Sequence, residues 1–179
     1  MSARQLILVV LALAAAAAAG AVLGSDAADE GADGAGDVGR VVKVVDGDTI
    51  HVQVGHAREK VRYIGVDTPE TKDPRKPVQC FGEKASKLNE RLVGDELVRL
   101  VRDVEERDRY GRLLAYVHRV RDGLFVNAEL ARLGYAQPLT IAPNVRFADR
   151  FAALSRQARE EGRGLWAACR SAAMSATLP

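Results

Sequence analysis

The sequence predicts an α+β fold: a five-stranded β-barrel with three helices, in the order β-β-β-α-β-β-α-α. Its β-rich runs come as a block of three and a later pair, and a segment of helical period separates the two blocks. Two more helical segments follow the last strand, which completes the order.

Val41 to Val45 opens the first block. The pair Asp46-Gly47 is turn chemistry, and Thr49 to Val54 alternates apolar and polar residues, so the two runs read as a hairpin. Lys60 to Val66 alternates again and ends at Thr68-Pro69, where proline cannot continue a paired strand. Asp73 to Pro77 extends the loop that follows. Phe81, Ala85, Leu88 and Leu92 recur at helical spacing until Gly94 stops the first helix. Leu97 to Val104 is β-rich and bounded by the charged run Glu105 to Arg109, and Arg112 to Val120 is the fifth strand. Asn127 to Leu133, closed by Gly134, predicts a short second helix with glycine as its C-terminal stop. Phe147, Phe151, Leu154 and Ala158 place a third, amphipathic helix within Val145 to Glu161. Five strands with a helix between the third and fourth suit the small closed barrel of the oligonucleotide-binding (OB) type.

The 179 residues allow one domain with extensions, not two independent cores. With 47% hydrophobic and 28% charged residues and two cysteines, the composition excludes a multi-pass membrane protein, a collagen, a heptad rod and a disulfide-dense miniprotein. Leu6 to Leu23 is an uncharged, mostly aliphatic stretch behind Arg4, with Ala19-Gly20-Ala21 acceptable to a signal peptidase. Residues 1–24 therefore read as a secretory signal, an uncleaved N-terminal anchor being the alternative because the stretch is near the minimum length for a span. Residues 25–38, rich in Gly, Ala and Asp, read as a disordered linker. Residues 39–170 form the folded domain, and the small residues of 171–179 are a flexible tail. The expected location is extracellular, or anchored in a membrane and facing outside. In an oxidising compartment an even number of cysteines favours a Cys80–Cys169 bridge over two buried thiols.

Over residues 1–38, Arg4 stands against Asp26, Asp29, Glu30, Asp33 and Asp37, a balance of −4, so a chain of net charge +2 carries +6 in the remainder. A polyanionic partner is compatible with that excess. Three segments hold candidate chemistry. Asp46-Gly47-Asp48-Thr49 alone is a turn, Asp67-Thr68-Pro69-Glu70-Thr71 alone is a charged loop, and Asp108-Arg109-Tyr110-Gly111-Arg112 alone is a basic hairpin. Together they supply what cutting a phosphodiester requires: a cation near the phosphate, a base for water and positive donors for developing charge. Asp48 and Asp67 are hard oxygen ligands that suit Ca²⁺. His51, His56 and His118 are scattered without a neighbouring cysteine, which argues against zinc.

Val45-Asp46-Gly47-Asp48-Thr49, then Val61-Arg62 followed by Val66-Asp67-Thr68-Pro69-Glu70-Thr71, then Asp108-Arg109-Tyr110-Gly111-Arg112 resemble the three signature segments of the thermonuclease family, the staphylococcal-nuclease-like enzymes. The resemblance runs over residues 39–167 and includes Gly134, Pro143-Asn144 and Gly164-Leu165-Trp166. It implies an OB-fold enzyme that hydrolyses DNA and RNA with Ca²⁺, leaves 3′-phosphorylated products, and acts as a monomer without a stable protein partner. Carried over residue by residue, it implies Asp48 and Asp67 as calcium carboxylates and Thr68 as the ligand through its backbone carbonyl. It implies Glu70 as the base toward the attacking water and Arg62 and Arg112 as the guanidinium forks that clamp the phosphate. Arg109 and Tyr110 fall on positions that contact a terminal phosphate of bound nucleotide. Lys72, Arg75 and Lys76 form a basic loop suited to capturing a phosphate backbone. Where the family often presents tyrosines beside the bound base, this chain reads Gln137-Pro138-Leu139-Thr140-Ile141-Ala142, so weaker base stacking is expected. Two other functions remain open: a non-catalytic OB-fold module that binds nucleic acid, for which Glu70 has no use, and a calcium-stabilised structural domain.

Overall fold

The computed structural model describes residues 36–71 and 78–169. The N-terminal apolar stretch, all but the end of the segment read as linker, the basic residues Lys72, Arg75 and Lys76, and the C-terminal tail lie outside the described residues.

Alternation along the strands builds the barrel, because successive side chains leave a strand on opposite faces. Strands β1 (Asp37–Val44), β2 (Thr49–Val54), β3 (Ala57–Tyr63), β5 (Leu97–Val101) and β6 (Leu113–Arg119) close in the order β1-β2-β3-β6-β5, with β5 pairing back onto β1. Val41, Ile50, Val52, Val61, Val98 and Leu100 point inward and are at most 1% exposed. Four pairings are antiparallel, whereas β3 and β6 run parallel with Arg62 opposite Leu114. Helices α1 (Gly82–Val93), α2 (Val126–Arg132) and α3 (Ala148–Glu160) follow the expected order, and a final helical turn, α4 (Leu165–Ala168), adds to the three expected. Tyr116 of β6 meets Phe125, Phe147 and Phe151 edge-on or tilted, so the aromatic residues around α2 and α3 continue the barrel core. Fully burying a side chain of that size stabilises the fold by about 2–3 kcal/mol.

Four details depart from the sequence expectation. The third β run is two elements. β3 ends at Tyr63, and Gly65–Asp67 (β4) leaves the barrel to pair with Gln137–Leu139 (β7) as a separate two-stranded sheet. The break sits at Gly65, whose φ of +80° turns the chain and whose missing Cβ would lie 2.2 Å from the Phe151 ring. The β1–β2 connection takes four residues, Val45 to Asp48, rather than the pair Asp46-Gly47; the two-residue turn is Gly55-His56, between β2 and β3. The fourth barrel strand stops at Val101, three residues early. Finally, β1 begins at Asp37, so the last two residues read as linker are strand paired to β5.

Cys80 and Cys169 are joined, with their Cα atoms 5.9 Å apart, and the bridge pins the segment after α4 to the start of α1. Among the described residues no helix is long and apolar enough to cross a membrane.

Candidate functional site

The four-residue turn between β1 and β2 carries the first carboxylates. Asp46 Oδ1 accepts the Asp48 amide at 3.1 Å, closing the turn locally, while the Asp48 carbonyl accepts the Tyr63 amide at 2.9 Å and ties the turn to the end of β3. From α1, fully buried Asn89 reaches the same turn: its Nδ2 donates to the Asp46 carbonyl at 2.9 Å and its Oδ1 accepts from the Tyr63 hydroxyl at 2.9 Å. Asp48 is 5% exposed. Its Oδ2 accepts both the amide (2.7 Å) and the hydroxyl (2.9 Å) of Thr68, and its Oδ1 accepts the Thr49 hydroxyl at 3.2 Å.

Arg62, on β3, completes this wall. Its guanidinium pairs with Asp48 through Nη1 and with Asp67 through Nη2, the latter at 2.6 Å. Burial opposes its charge, but Asp48 and then Asp67 outweigh that and hold its pKa above the ordinary arginine range. Burial, then the adjacent Asp48 carboxylate, pushes Asp46 up to about 7. Glu70 lies on the loop after β4. Its backbone is fixed by a pair of bonds with Gln79, amide to Oε1 at 2.8 Å and carbonyl from the Gln79 amide at 3.0 Å, and its Oε1 accepts the Thr71 amide at 2.7 Å.

Arg112 comes from the opposite side, just before β6. Asp108 holds it: Oδ2 accepts Arg112 Nε at 2.7 Å, and Oδ1 accepts the Tyr110 and Arg112 amides at 2.9 and 3.0 Å. Those bonds keep the Asp108 carboxyl below the usual range despite the desolvation that opposes them. The parallel β3–β6 pairing, with Arg62 opposite Leu114, is what brings the two arginines to one mouth.

Asp48, Arg62, Asp67, Thr68, Glu70 and Arg112 line one pocket together with Asp46 and Thr49. Arg109 and Tyr110 do not enter it. They sit on the exposed turn beside it, Tyr110 68% exposed, with Arg109 Nη2 donating to the Tyr110 hydroxyl at 2.6 Å and the Arg112 guanidinium 5.6 Å from the Tyr110 ring. A second pocket shares Arg62 and Arg112 and adds Tyr63, Leu114, Leu139, Ile141 and Asn144; Tyr63 is 2% exposed with its hydroxyl on Asn89, so the exposed apolar side chains there are Leu139 and Ile141. Cys80 and Cys169 lie apart from both pockets. Asn89 and Gln79 were not found from the sequence. Asn89 had a signal, since it interrupts the apolar face Ala85, Leu88, Leu92, and a polar residue there needs a buried partner; Gln79 had none.

The donors in the first pocket are oxygens, and its four carboxyl groups outnumber its two guanidinium groups by two. That composition fits a hard divalent cation. Among the described residues no three His, Cys, Asp or Glu side chains could hold a metal by themselves, so a cation would need the Thr68 carbonyl and water or ligand oxygens besides Asp48 and Asp67.

The family model for Staphylococcal nuclease homologues matches residues 60–168. The chain is 39% identical over 127 residues to the thermonuclease of Staphylococcus hyicus, covering 71% of this chain and 74% of that protein. It is 43% identical over 121 residues to the thermonuclease of Staphylococcus intermedius, covering 68% of each. To Endonuclease YncB of Bacillus subtilis strain 168 it is 40% identical over 126 residues, covering 69% of this chain and 59% of that protein. With its closed five-stranded barrel and this extent of match, the chain belongs to the family of staphylococcal nuclease homologues.

Proposed function

We propose that the protein is an exported nuclease that hydrolyses phosphodiester bonds of DNA and RNA with Ca²⁺ and leaves 3′-phosphorylated products. The observation that carries this reading is the convergence of two arginines and the carboxylates Asp48, Asp67 and Glu70 on one pocket, in a family whose relatives above are named thermonuclease and endonuclease. The Cys80–Cys169 bridge agrees with an oxidising destination, outside the cell or on the outer side of an anchoring membrane.

Asp48, Asp67 and the Thr68 carbonyl would hold the calcium ion, which when bound supplies Lewis-acid polarisation of a phosphate oxygen. The remaining work falls to the chain. Glu70 takes the proton of the attacking water; its fixed backbone and the Thr71 amide aim the carboxylate. Arg112, oriented through Nε by Asp108, makes no hydrogen bond or ion pair through its Nη groups among the described residues and presents them to the phosphate. Arg62 faces it across the pocket; its Nη groups pair with Asp48 and Asp67 and would turn to the phosphate when those carboxylates take the cation, so that the two forks favour the charge-rich transition state over the ground state. The water oxygen bonds to phosphorus, the bond to the 5′-oxygen breaks, and that oxygen leaves as a hydroxyl with a proton from solvent. Arg109 and Tyr110 edge the site where a terminal phosphate would lie.

Degradation of labelled single-stranded DNA with Ca²⁺, with Mg²⁺ and with chelator, beside Glu70→Gln, tests the reading. Calcium-dependent cutting that falls by about 10²–10⁴-fold in the variant is the expected result. DNA that is bound yet intact under every metal condition would replace the enzyme with a binding module.

A further inference from the structure

Beyond Arg62, which lines both pockets and is paired with Asp48 and Asp67, the outer face of β1, β2 and β3 continues as a row of four cations, Arg40, Lys43, Arg58 and Lys60, that line neither pocket. Arg58, Lys60 and Arg62 alternate along β3 with the inward residues Val61 and Tyr63, so all three leave the strand on one face. Register supplies their neighbours: Lys60 lies across from His51 and His51 from Lys43, while Arg58 lies across from Gln53 and Gln53 from Arg40. Arg40, Lys43, Arg58 and Lys60 are exposed. None forms an ion pair among the described residues, and Arg40 donates only to the backbone carbonyl of Asp95, at 2.6 Å. The acid between them in sequence, Glu59, turns to the other face and is taken by Arg107 at 2.9 Å. Partial burial, then Arg58, Lys60 and Lys43, lower the His51 pKa, and no carboxylate opposes them.

We propose that this face is a phosphate track, on which a nucleic acid strand held at Arg62 lays its flanking phosphates over Lys60 and Lys43 and then over Arg58 and Arg40. The proposal rests on the nuclease reading and extends it to substrate length. At 3.2–3.4 Å per residue, Lys60 and Arg58 stand about 7 and 13 Å from Arg62 along the strand. A dinucleoside monophosphate has a single phosphate, which the pocket takes, and leaves nothing for the track. A long strand gains contacts that are electrostatic and independent of sequence.

The test compares the wild type with Lys43→Gln/Arg58→Gln/Lys60→Gln. Affinity for a long labelled single-stranded oligonucleotide is measured in chelator between about 50 and 200 mM salt. Three lost contacts lower the slope of log affinity against log salt by about 2, so over that range the variant loses about 20-fold less affinity than the wild type. In the presence of calcium, hydrolysis of a dinucleoside monophosphate is unchanged while KM for the long strand rises. Lys43→Arg/Arg58→Lys/Lys60→Arg keeps the wild-type slope. Should the triple variant not fold, each single variant is expected to lower the slope by about 0.7. An unchanged slope overturns the track, as does a loss on the dinucleotide equal to that on the long strand. So does reduced binding to phosphatidylglycerol vesicles with oligonucleotide binding intact. A wild type that cuts neither substrate refutes the nuclease reading alone, because the salt slope still reports the track.

Discussion

Asn89 is where α1 grips the acid turn, and replacing it tests whether that grip positions Asp48. The side chain is fully buried and spends its amide on two partners, the half-buried Asp46 carbonyl and the buried Tyr63 hydroxyl, each at 2.9 Å. Asn89→Leu keeps the heavy-atom count and the branching at Cγ and strands both. Each orphaned buried group costs about 1–3 kcal/mol, so the variant loses about 3 kcal/mol once the added apolar contact is set against the total. For a domain of this size that lowers Tm by about 10 °C. Tyr63→Phe removes the stranded hydroxyl. The double variant is therefore less destabilised than the sum of the single ones, by about 1–2 kcal/mol, in urea denaturation with an unchanged m value. Activity separates the two partners: Asn89→Leu frees the turn that carries Asp48 and lowers kcat/KM, whereas Tyr63→Phe leaves the Asn89–Asp46 bond in place and lowers it much less. Additivity of the two variants within about 0.5 kcal/mol would refute the shared network.

At Gly65 an alanine would meet Phe151 at 2.2 Å on a backbone with φ of +80°. Overpacking and left-handed strain together predict a loss of about 3 kcal/mol for Gly65→Ala, and denaturation equal to the wild type would show that β4 leaves the barrel for another reason. Acid should unfold the domain through carboxyls held below their ordinary range: Glu59 by hydrogen bonds to Arg107, and Asp122, brought down to about 2 by Arg119. Depressed pKa values give stability that is complete above the unfolded carboxyl range near 4 and is lost as pH falls toward the folded value. Tm therefore drops between about pH 4 and pH 2, and Arg119→Gln makes that part of the curve shallower; a curve of unchanged slope would exclude Asp122 as a contributor.

The barrel was legible because its strands bury one face and follow period two: Val41, Ile50, Val52 and Val61 announce themselves as an inner layer. The first helix was legible for the same reason at period 3.6. β7 was not, since Gln137–Leu139 is three residues, all exposed, with a proline in the middle, and no period exists over that length. The division of β3 from β4 shows in the sequence only as a slip of phase, Val61 and Tyr63 giving way to Ile64 and Val66, while the change of partner depends on Gly65 meeting Phe151, far along the chain. The candidate site shows the same division. Asp48, Arg62, Asp67, Glu70 and Arg112 stand in local motifs, and the resemblance picks them out together. Asn89 and Gln79, which fix the backbone beneath them, act through contacts across 43 and 9 residues and belong to no motif.

Arg62 and Arg112 are 50 positions apart, and no spacing rule relates them; they meet because β3 and β6 lie parallel and Leu114 takes the place opposite Arg62. The two guanidinium groups then become the wall common to both pockets, one rich in carboxyl groups and the other lined by Leu114, Leu139 and Ile141. A ligand that fills both must place an anion between the forks and an apolar plate on the aliphatic side. A phosphodiester joined to a nucleoside has that shape, and the acid pocket behind it is where a base and a cation are useful. With Tyr63 buried and Leu139 and Ile141 exposed, this side would offer a nucleobase dispersion contact rather than an aromatic face, and so less affinity per base than stacking. On the proposed nuclease function, binding strength would then come chiefly from phosphates, which is the same dependence the cation row on β1, β2 and β3 would serve.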